Sequence, residues 1–473
     1  MLYLLILVPI LCGIGLFFVK DRDTARTFSL FLSVVVFLLS AWLLSPSGAI
    51  HSEAEWLPML GAKFSFAADG MAKMLAILTT VSLPLILAGA YNNNYKRAGS
   101  FYALMFLTQA GMLGVFLAAD VLLFYFFWEL ALIPAYFLSS IWGGEKRIQA
   151  SFKFFVYTFA GSLLMLVGII YLYQKTPDNS FAISSFYNLS LSLKEQNIGF
   201  WLFFLAFAIK MPVFPLHTWQ PFAYQQSPTA LTMLLSGVMV KMGIYATIRY
   251  VLPVFPDSVA YFQNSIMWVA IAGVLYASLI AIRQNDLKKL VAYSSIAHIG
   301  IMAAAIFAQK EVALEGVMLQ MFNHGINVIG LWIVINVIEQ QLGTRKISDL
   351  SGLAQKSPNL AILLTVMILA NVSLPLTNAF IGEFLMFNGI FRHSIWMGAV
   401  VCLSIILVAV YSLNMIQNVF YGKTNSLTAQ AKDMHTGAQS ALVCIAIFIL
   451  LLGIYPQPLL NLTADTVMAL MVK

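Results

Sequence analysis

Six ionisable side chains stand inside apolar runs of this chain: Glu129, Lys210, Lys241, His298, His324 and Glu383. Lys210 follows the run FWLFFLAFAI and precedes Met211-Pro212-Val213-Phe214-Pro215, which puts an ammonium beside a helix break. Glu129 ends the aromatic stretch Phe124-Tyr125-Phe126-Phe127-Trp128, and Lys241 lies deep in its own run. His298 follows Ser294 and Ser295, His324 follows Asn323, and Glu383 follows Ser373-Leu374-Pro375-Leu376-Thr377-Asn378 and Gly382. A charge at the centre of a bilayer costs roughly 2.5–3.5 kcal/mol on insertion scales, so each of these residues is a functional hypothesis. Carboxylate, amine and imidazole all take up and release protons, the imidazole within the physiological range. In chain order the six read as a line of proton stations. Lys210 is expected to pair with Glu129, because an unpaired buried charge is so costly.

Each residue also has a plainer reading. Glu129 could close a helix near the interface. Lys210 and Lys241 could snorkel, although Lys241 sits too deep for that to be easy. A lone buried histidine is usually a satisfied core residue, and Glu383 could serve only the helix break before it. His217, His393 and His435 fall in loops and read as solvated or capping residues. Asp286 reads as the N-cap of a helix, and Glu145 and Lys153 as loop charges.

The elements that must position these groups are membrane helices. The chain has 473 residues, 61% hydrophobic and 10% charged, against about 25% charged in soluble domains. Apolar runs long enough to cross a hydrocarbon core of ~30 Å recur throughout. They predict an all-α polytopic membrane protein of about fourteen transmembrane helices: 2–19, 27–45, 70–90, 100–119, 121–141, 150–173, 199–222, 229–251, 262–282, 287–308, 313–340, 358–391, 394–421 and 437–455. The prolines near Lys210 and Pro375 before Glu383 predict broken seventh and twelfth helices. The organisation divides into helices one to three at 1–99, a core at 100–421, and a C-terminal loop, helix and tail at 422–473. The first run lacks a basic leader and a small-residue cleavage site, so it is expected to be a retained span.

Loops after odd-numbered spans hold Lys20, Arg22, Arg26, Lys96, Arg97, Lys146, Arg147, Lys153, Arg283, Lys288, Lys289, Arg345, Lys346, Lys356, Lys423 and Lys432. Those after even-numbered spans hold only Lys63, Lys175, Lys194, Arg249, Lys310 and Arg392, with Lys473 at the end. The positive-inside rule then puts the odd loops in the cytoplasm and both termini outside. The net charge of +7 is thus explained by topology and does not imply nucleic acid. Cys12, Cys402 and Cys444 stand alone, with no CxxC pair, so a zinc or iron–sulfur site is not expected.

The motifs have a family likeness. Phe126-Phe127-Trp128-Glu129-Leu130 with Pro134, Lys210 to Trp219, Ser227-Pro228-Thr229-Ala230, Lys241-Met242-Gly243, and Gln284 to Ser295 with His298 resemble the antiporter-like subunits of respiratory complex I, NADH:quinone oxidoreductase. The likeness runs from about residue 100 to 420 and is greatest to the M-subunit branch, since the chain stops soon after its fourteenth span. It implies two inverted five-helix repeats, spans 4–8 and 9–13. It also implies that Glu129 and Lys210 form an input pair, Lys241 connects, His298 and His324 bridge, and Glu383 is the terminal donor. The cofactors NAD, FMN, iron–sulfur clusters and quinone would sit on partner subunits and none on this chain. The partners would be complex I membrane subunits, with sister antiporter-like subunits on either side, and lipid, in a bacterial inner membrane. The family usually carries an acid and often a histidine after Trp-x-Pro. Here Phe222, Tyr224 and Gln226 occupy that stretch, which argues against proton uptake through an ionisable group there.

Other readings share these motifs. One is the D-type subunit of a multisubunit cation/proton antiporter, which tends to have lysine where this chain has Glu383. Another is a membrane hydrogenase subunit. A third is a passive scaffold, in which the buried charges would be dispensable.

Overall fold

A computed structural model describes residues 1–44 and 50–471, so Lys473 lies outside the described residues. The helices are α1 Leu2–Leu16, α2 Arg22–Ser40, α3 Gly70–Gly89, α4 Ala98–Leu117, α5 Val121–Trp142, α6 Arg147–Tyr173, α7 Ile183–Tyr187, α8 Leu193–Lys210 and α9 Gln220–Gln226. There follow α10 Thr229–Val254 and α11 Pro256–Ile282, then α12 Leu287–Phe307, α13 Glu311–Leu342, α14 Pro358–Asn371, α15 Asn378–His393, α16 Ile395–Phe420, α17 Thr436–Ile454 and α18 Gln457–Met471. Several begin at aspartates whose carboxylates accept the first free backbone N–H groups. Asp21 accepts from Thr24, Asp69 from Ala72, Asp120 from Leu122 and Leu123, and Asp286 from Lys289.

Eleven helices among the described residues are long and apolar enough to cross a membrane. The others on the expected spans are short or interrupted. Both expected breaks are present. The chain leaves α8 at Lys210 and resumes helix at Gln220, and it leaves α14 at Asn371 and resumes at Asn378.

Two elements were not expected. Strands β1 (Ile50–Leu57) and β2 (Ala62–Ala68) form an antiparallel hairpin, so the protein is not purely α-helical. The hairpin is fastened to the turn between α4 and α5, where Ala119 N donates to Ser65 O at 2.9 Å and Lys63 N to the Asp120 carboxylate at 2.9 Å. The helix α18 follows the last expected span and packs on α3 and α13. Arg249, counted above among loop residues, lies within α10 and pairs with Asp69.

The burial pattern separates a core from a lipid-facing shell. Helices α10 and α13 are buried along their length and α12 nearly so. Helices α6 and α16 turn apolar side chains such as Phe152 and Leu403 outward, as a hydrocarbon surround requires. The three enclosed helices are those that carry Lys241, His298 and His324.

Candidate proton-transfer site

Lys241 sits between two places where α10 widens to a π turn, Leu235–Met239 and Thr247–Val251. Such turns recur at functional sites because they re-aim side chains and loosen the backbone ladder. The fully buried Lys241 Nζ donates to Ser236 O at 2.7 Å and lies 2.8 Å from His324 Nδ1 on α13. Two glycines allow this approach: a Cβ at Gly325 would stand 2.8 Å from Gly237 O, so any side chain there would push the helices apart.

The next link is aromatic. The His324 and His298 rings lie 5.6 Å apart, centroid to centroid. His298 Nδ1 is 2.8 Å from Glu383 Oε1, and Gln320 Nε2 donates to the same oxygen at 3.3 Å. Lys241, His324, His298 and Glu383 thus form a buried line across α10, α13, α12 and α15. Their partners fix the tautomers that suit the line. A lysine donating to His324 Nδ1 leaves its Nε2 protonated, and His298 donating from Nδ1 leaves its Nε2 an acceptor. That Nε2 is buried without a protein partner.

Amides around the second break support this line and were passed over in a reading confined to titratable groups. Asn378 opens α15 and exchanges two amide hydrogen bonds with Asn327, at 2.9 and 3.1 Å. Asn323 Nδ2 donates to Asn378 O at 2.7 Å. These bonds tie the start of α15, and hence Glu383, to the helix bearing His324. Asn or Gln inside an apolar helix is itself the sequence signal, since a buried amide must find partners.

The other end of the line differs from expectation. Lys210 and Glu129 make no ion pair within 4 Å; Lys210 Nζ lies 5.3 Å from the Trp128 ring centroid and has no hydrogen-bond partner. The cause is helical geometry. Trp128 and Glu129 are consecutive, so their side chains project about 100° apart around α5. With the indole facing Lys210, the carboxylate turns towards Ser162 and Tyr125. Lys210 is the last residue of α8, and the Trp219 indole caps the preceding carbonyl, Ile209 O, at 3.0 Å. His217, expected in solvent, is buried against Phe214 and Tyr276. His393 bonds Asn264, and His435 caps α17, as expected of a capping residue. Glu145 and Lys153 do line exposed or partly exposed turns.

On the lysine- and arginine-rich face, Asp286 is the N-cap expected of it, and it also accepts from Arg345 and Gln225. Lys288 is buried and pairs with Glu339 at 2.9 Å. A cavity of about 750 Å³ opens here, lined by Arg97, Arg147, Thr229, Lys288 and Glu339 among others.

Comparison with known proteins agrees with this architecture. Residues 118–409 match the family described as NADH:quinone oxidoreductase/Mrp antiporter, TM. The NADH-quinone oxidoreductase subunit M of Rickettsia prowazekii (strain Madrid E) is 33% identical over 446 residues, covering 94% of this chain and 90% of that one. A chain of respiratory complex I from Thermus thermophilus superposes with a TM-score of 0.92 at 30% identity, over 100% of both chains. A chain of the Mrp complex from Dietzia sp. DQ12-45-1b shares the fold, with a TM-score of 0.90 at 21% identity over 99% and 97%. With its enclosed helices, its two breaks and its matched core, the chain belongs to the NADH:quinone oxidoreductase/Mrp antiporter family of membrane proteins.

Proposed function

We propose that the chain is the M-type proton-translocating membrane subunit of an NADH:quinone oxidoreductase. The observation that carries this reading is the buried line Lys241–His324–His298–Glu383, closed by hydrogen bonds of 2.8 Å at each end. Glu129 and Lys210 lie before it, and their separation in this structure suits a gate: rotation of Lys210 away from Trp128 towards the carboxylate would change how readily the amine keeps its proton. Burial makes holding a charge costly and a near carboxylate offsets that cost. A partner that moves therefore moves the proton.

Redox chemistry would belong to partner subunits carrying NAD, FMN, iron–sulfur clusters and quinone, with none of these on this chain. Sister antiporter-like subunits would flank it, and the charge asymmetry of the loops favours termini on the periplasmic side of a bacterial inner membrane. Glu383 in place of lysine favours the oxidoreductase over the cation/proton antiporter. The test is proton pumping in membrane vesicles holding the assembled complex with Glu129→Ala, Lys210→Ala or Lys241→Ala. Loss of pumping with normal assembly is expected. Full pumping in all three would leave only the scaffold reading.

A further inference from the structure

Tyr224 stands in the stretch where the family pattern has ionisable groups, and it is neither exposed nor satisfied. Its hydroxyl is buried without a hydrogen-bond partner, as are both side-chain polar atoms of Gln220 and the indole N–H of Trp332. Gln220 and Tyr224 lie four residues apart on α9, so they share a face. The Tyr224 and Trp332 rings meet edge to face at 5.9 Å, which places the Trp332 indole on the same side. Buried polar groups in folded proteins are almost always paired, with protein or with ordered water. A buried water typically bridges two to four such groups. Here two N–H donors, one amide oxygen and one hydroxyl of either role converge, and this set complements water.

The location gives the cluster a use. On one side the chain continues through Gln225, Gln226 and Thr229 into the cavity on the basic face. On the other, Thr232 Oγ1 donates to Tyr224 O at 3.4 Å and Ser236 Oγ to Thr232 O at 2.8 Å. Ser236 O in turn accepts from Lys241 Nζ. A polar face therefore leads from the cavity, past the unpartnered cluster, to the first residue of the buried line.

We propose that protons reach Lys241 from the lysine- and arginine-rich face through ordered water held by Tyr224, Gln220 and Trp332, without any ionisable side chain on the way. Each transfer breaks one O–H bond as the next forms, and the final proton goes to the Lys241 amine. The inference rests on the proton-carrying role of Lys241 proposed above.

The experiment uses the assembled complex in vesicles with Tyr224→Phe and Gln220→Met, beside Lys241→Ala as control, together with a high-resolution cryo-EM map of the unmodified complex. The map is expected to show water within hydrogen-bond distance of Tyr224 Oη and Trp332 Nε1. Tyr224→Phe keeps the ring packing and is expected to slow pumping several-fold, with a larger solvent deuterium isotope effect and a steeper loss at high pH, where bulk protons are scarce. A dry cluster in the map, or wild-type pumping by both variants across the pH range, overturns the proposal. If Lys241→Ala also pumps fully, the underlying reading fails. If only Lys241→Ala is impaired, the uptake route alone is wrong. Should Tyr224→Phe fail to assemble, Gln220→Met and the map decide.

Discussion

Lys241 Nζ and His324 Nδ1 stand 2.8 Å apart across the close-packed faces of α10 and α13, with the backbone carbonyl of Ser236 as the lysine's other acceptor. The two side chains share one hydrogen bond in a place sealed from solvent, so the loss of either partner is not symmetric. His324→Leu leaves an amine with a single acceptor, whereas Lys241→Leu leaves a neutral ring. Breaking a buried charged pair from one side costs roughly 3–5 kcal/mol. His324→Leu is therefore expected to destabilise the complex more than the Lys241→Leu/His324→Leu double variant does. Thermal unfolding of the three purified complexes checks this. Equal losses that add in the double variant would show that the pair is not coupled.

A second expectation concerns the hairpin, which lies outside the spans. Lys63 on β2 pairs with Glu53 on β1. The lysine hydrogen bond holds the Glu53 carboxyl below its usual range, and the same contact raises Lys63. A lowered carboxylate contributes stability above its unfolded range and loses it as pH falls through the folded value. A raised lysine contributes below its unfolded range and loses it as pH climbs through the folded value. The bridge thus works between about pH 4 and pH 10, set by the ordinary carboxylate and lysine ranges. Both groups are exposed, so the effect is small. Amide exchange in β1 and β2 should quicken on acidification below that window, and Glu53→Gln should abolish the pH step. An unchanged step in Glu53→Gln would place its origin elsewhere.

The residues that titrate were legible because a charge within an apolar run is conspicuous, and the breaks because proline stands beside Lys210 and before Glu383. The pairing was less legible. Sequence spacing placed Glu129 near Lys210, but the direction of a side chain around α5 depends on which neighbour faces the partner helix, and Trp128 takes that place. The hairpin was missed although 50–57 and 62–68 alternate polar and apolar residues; hydropathy averaged over a span-length window blurs a period of two. The amides Asn323, Asn327 and Asn378 were missed because only titratable groups were sought.

Lys210 gives a third expectation, in which stability and function part. Its Nζ is buried with no acceptor, and its one visible compensation is the Trp128 ring at 5.3 Å. A cation–π contact of this kind is worth about 0.5–2 kcal/mol. Replacing a poorly compensated buried charge by an apolar side chain of similar volume is often neutral or stabilising by about 1–4 kcal/mol. Lys210→Met is thus expected to leave the melting temperature of the complex unchanged or higher while pumping falls. A marked drop in stability would mean that Lys210 has a stronger partner than Trp128, with Glu129 the first candidate. Trp128→Phe separates these cases, because it weakens the ring contact and leaves the carboxylate in place.

Glu383 gives the fourth. Its Oε1 accepts from Gln320 and meets His298 Nδ1 at 2.8 Å. Glutamine at this position keeps the length and an oxygen acceptor for both partners, so the α12–α13–α15 contact should survive and the complex should assemble. The amide takes up no proton at physiological pH, so the line would end at His298. Glu383→Gln is therefore expected to lower proton pumping by an order of magnitude or more, with subunit content unchanged. Glu383→Asp keeps the acid but shortens the side chain by one methylene, which opens the His298 contact. It should retain partial pumping that falls as pH rises, because a carboxyl without its imidazole partner must be reloaded from a scarcer proton supply. Pumping rates and subunit stoichiometry measured in the same vesicles check both variants. If glutamine pumps as well as glutamate, the proton leaves the line before Glu383, and the carboxylate serves only to hold His298 in place.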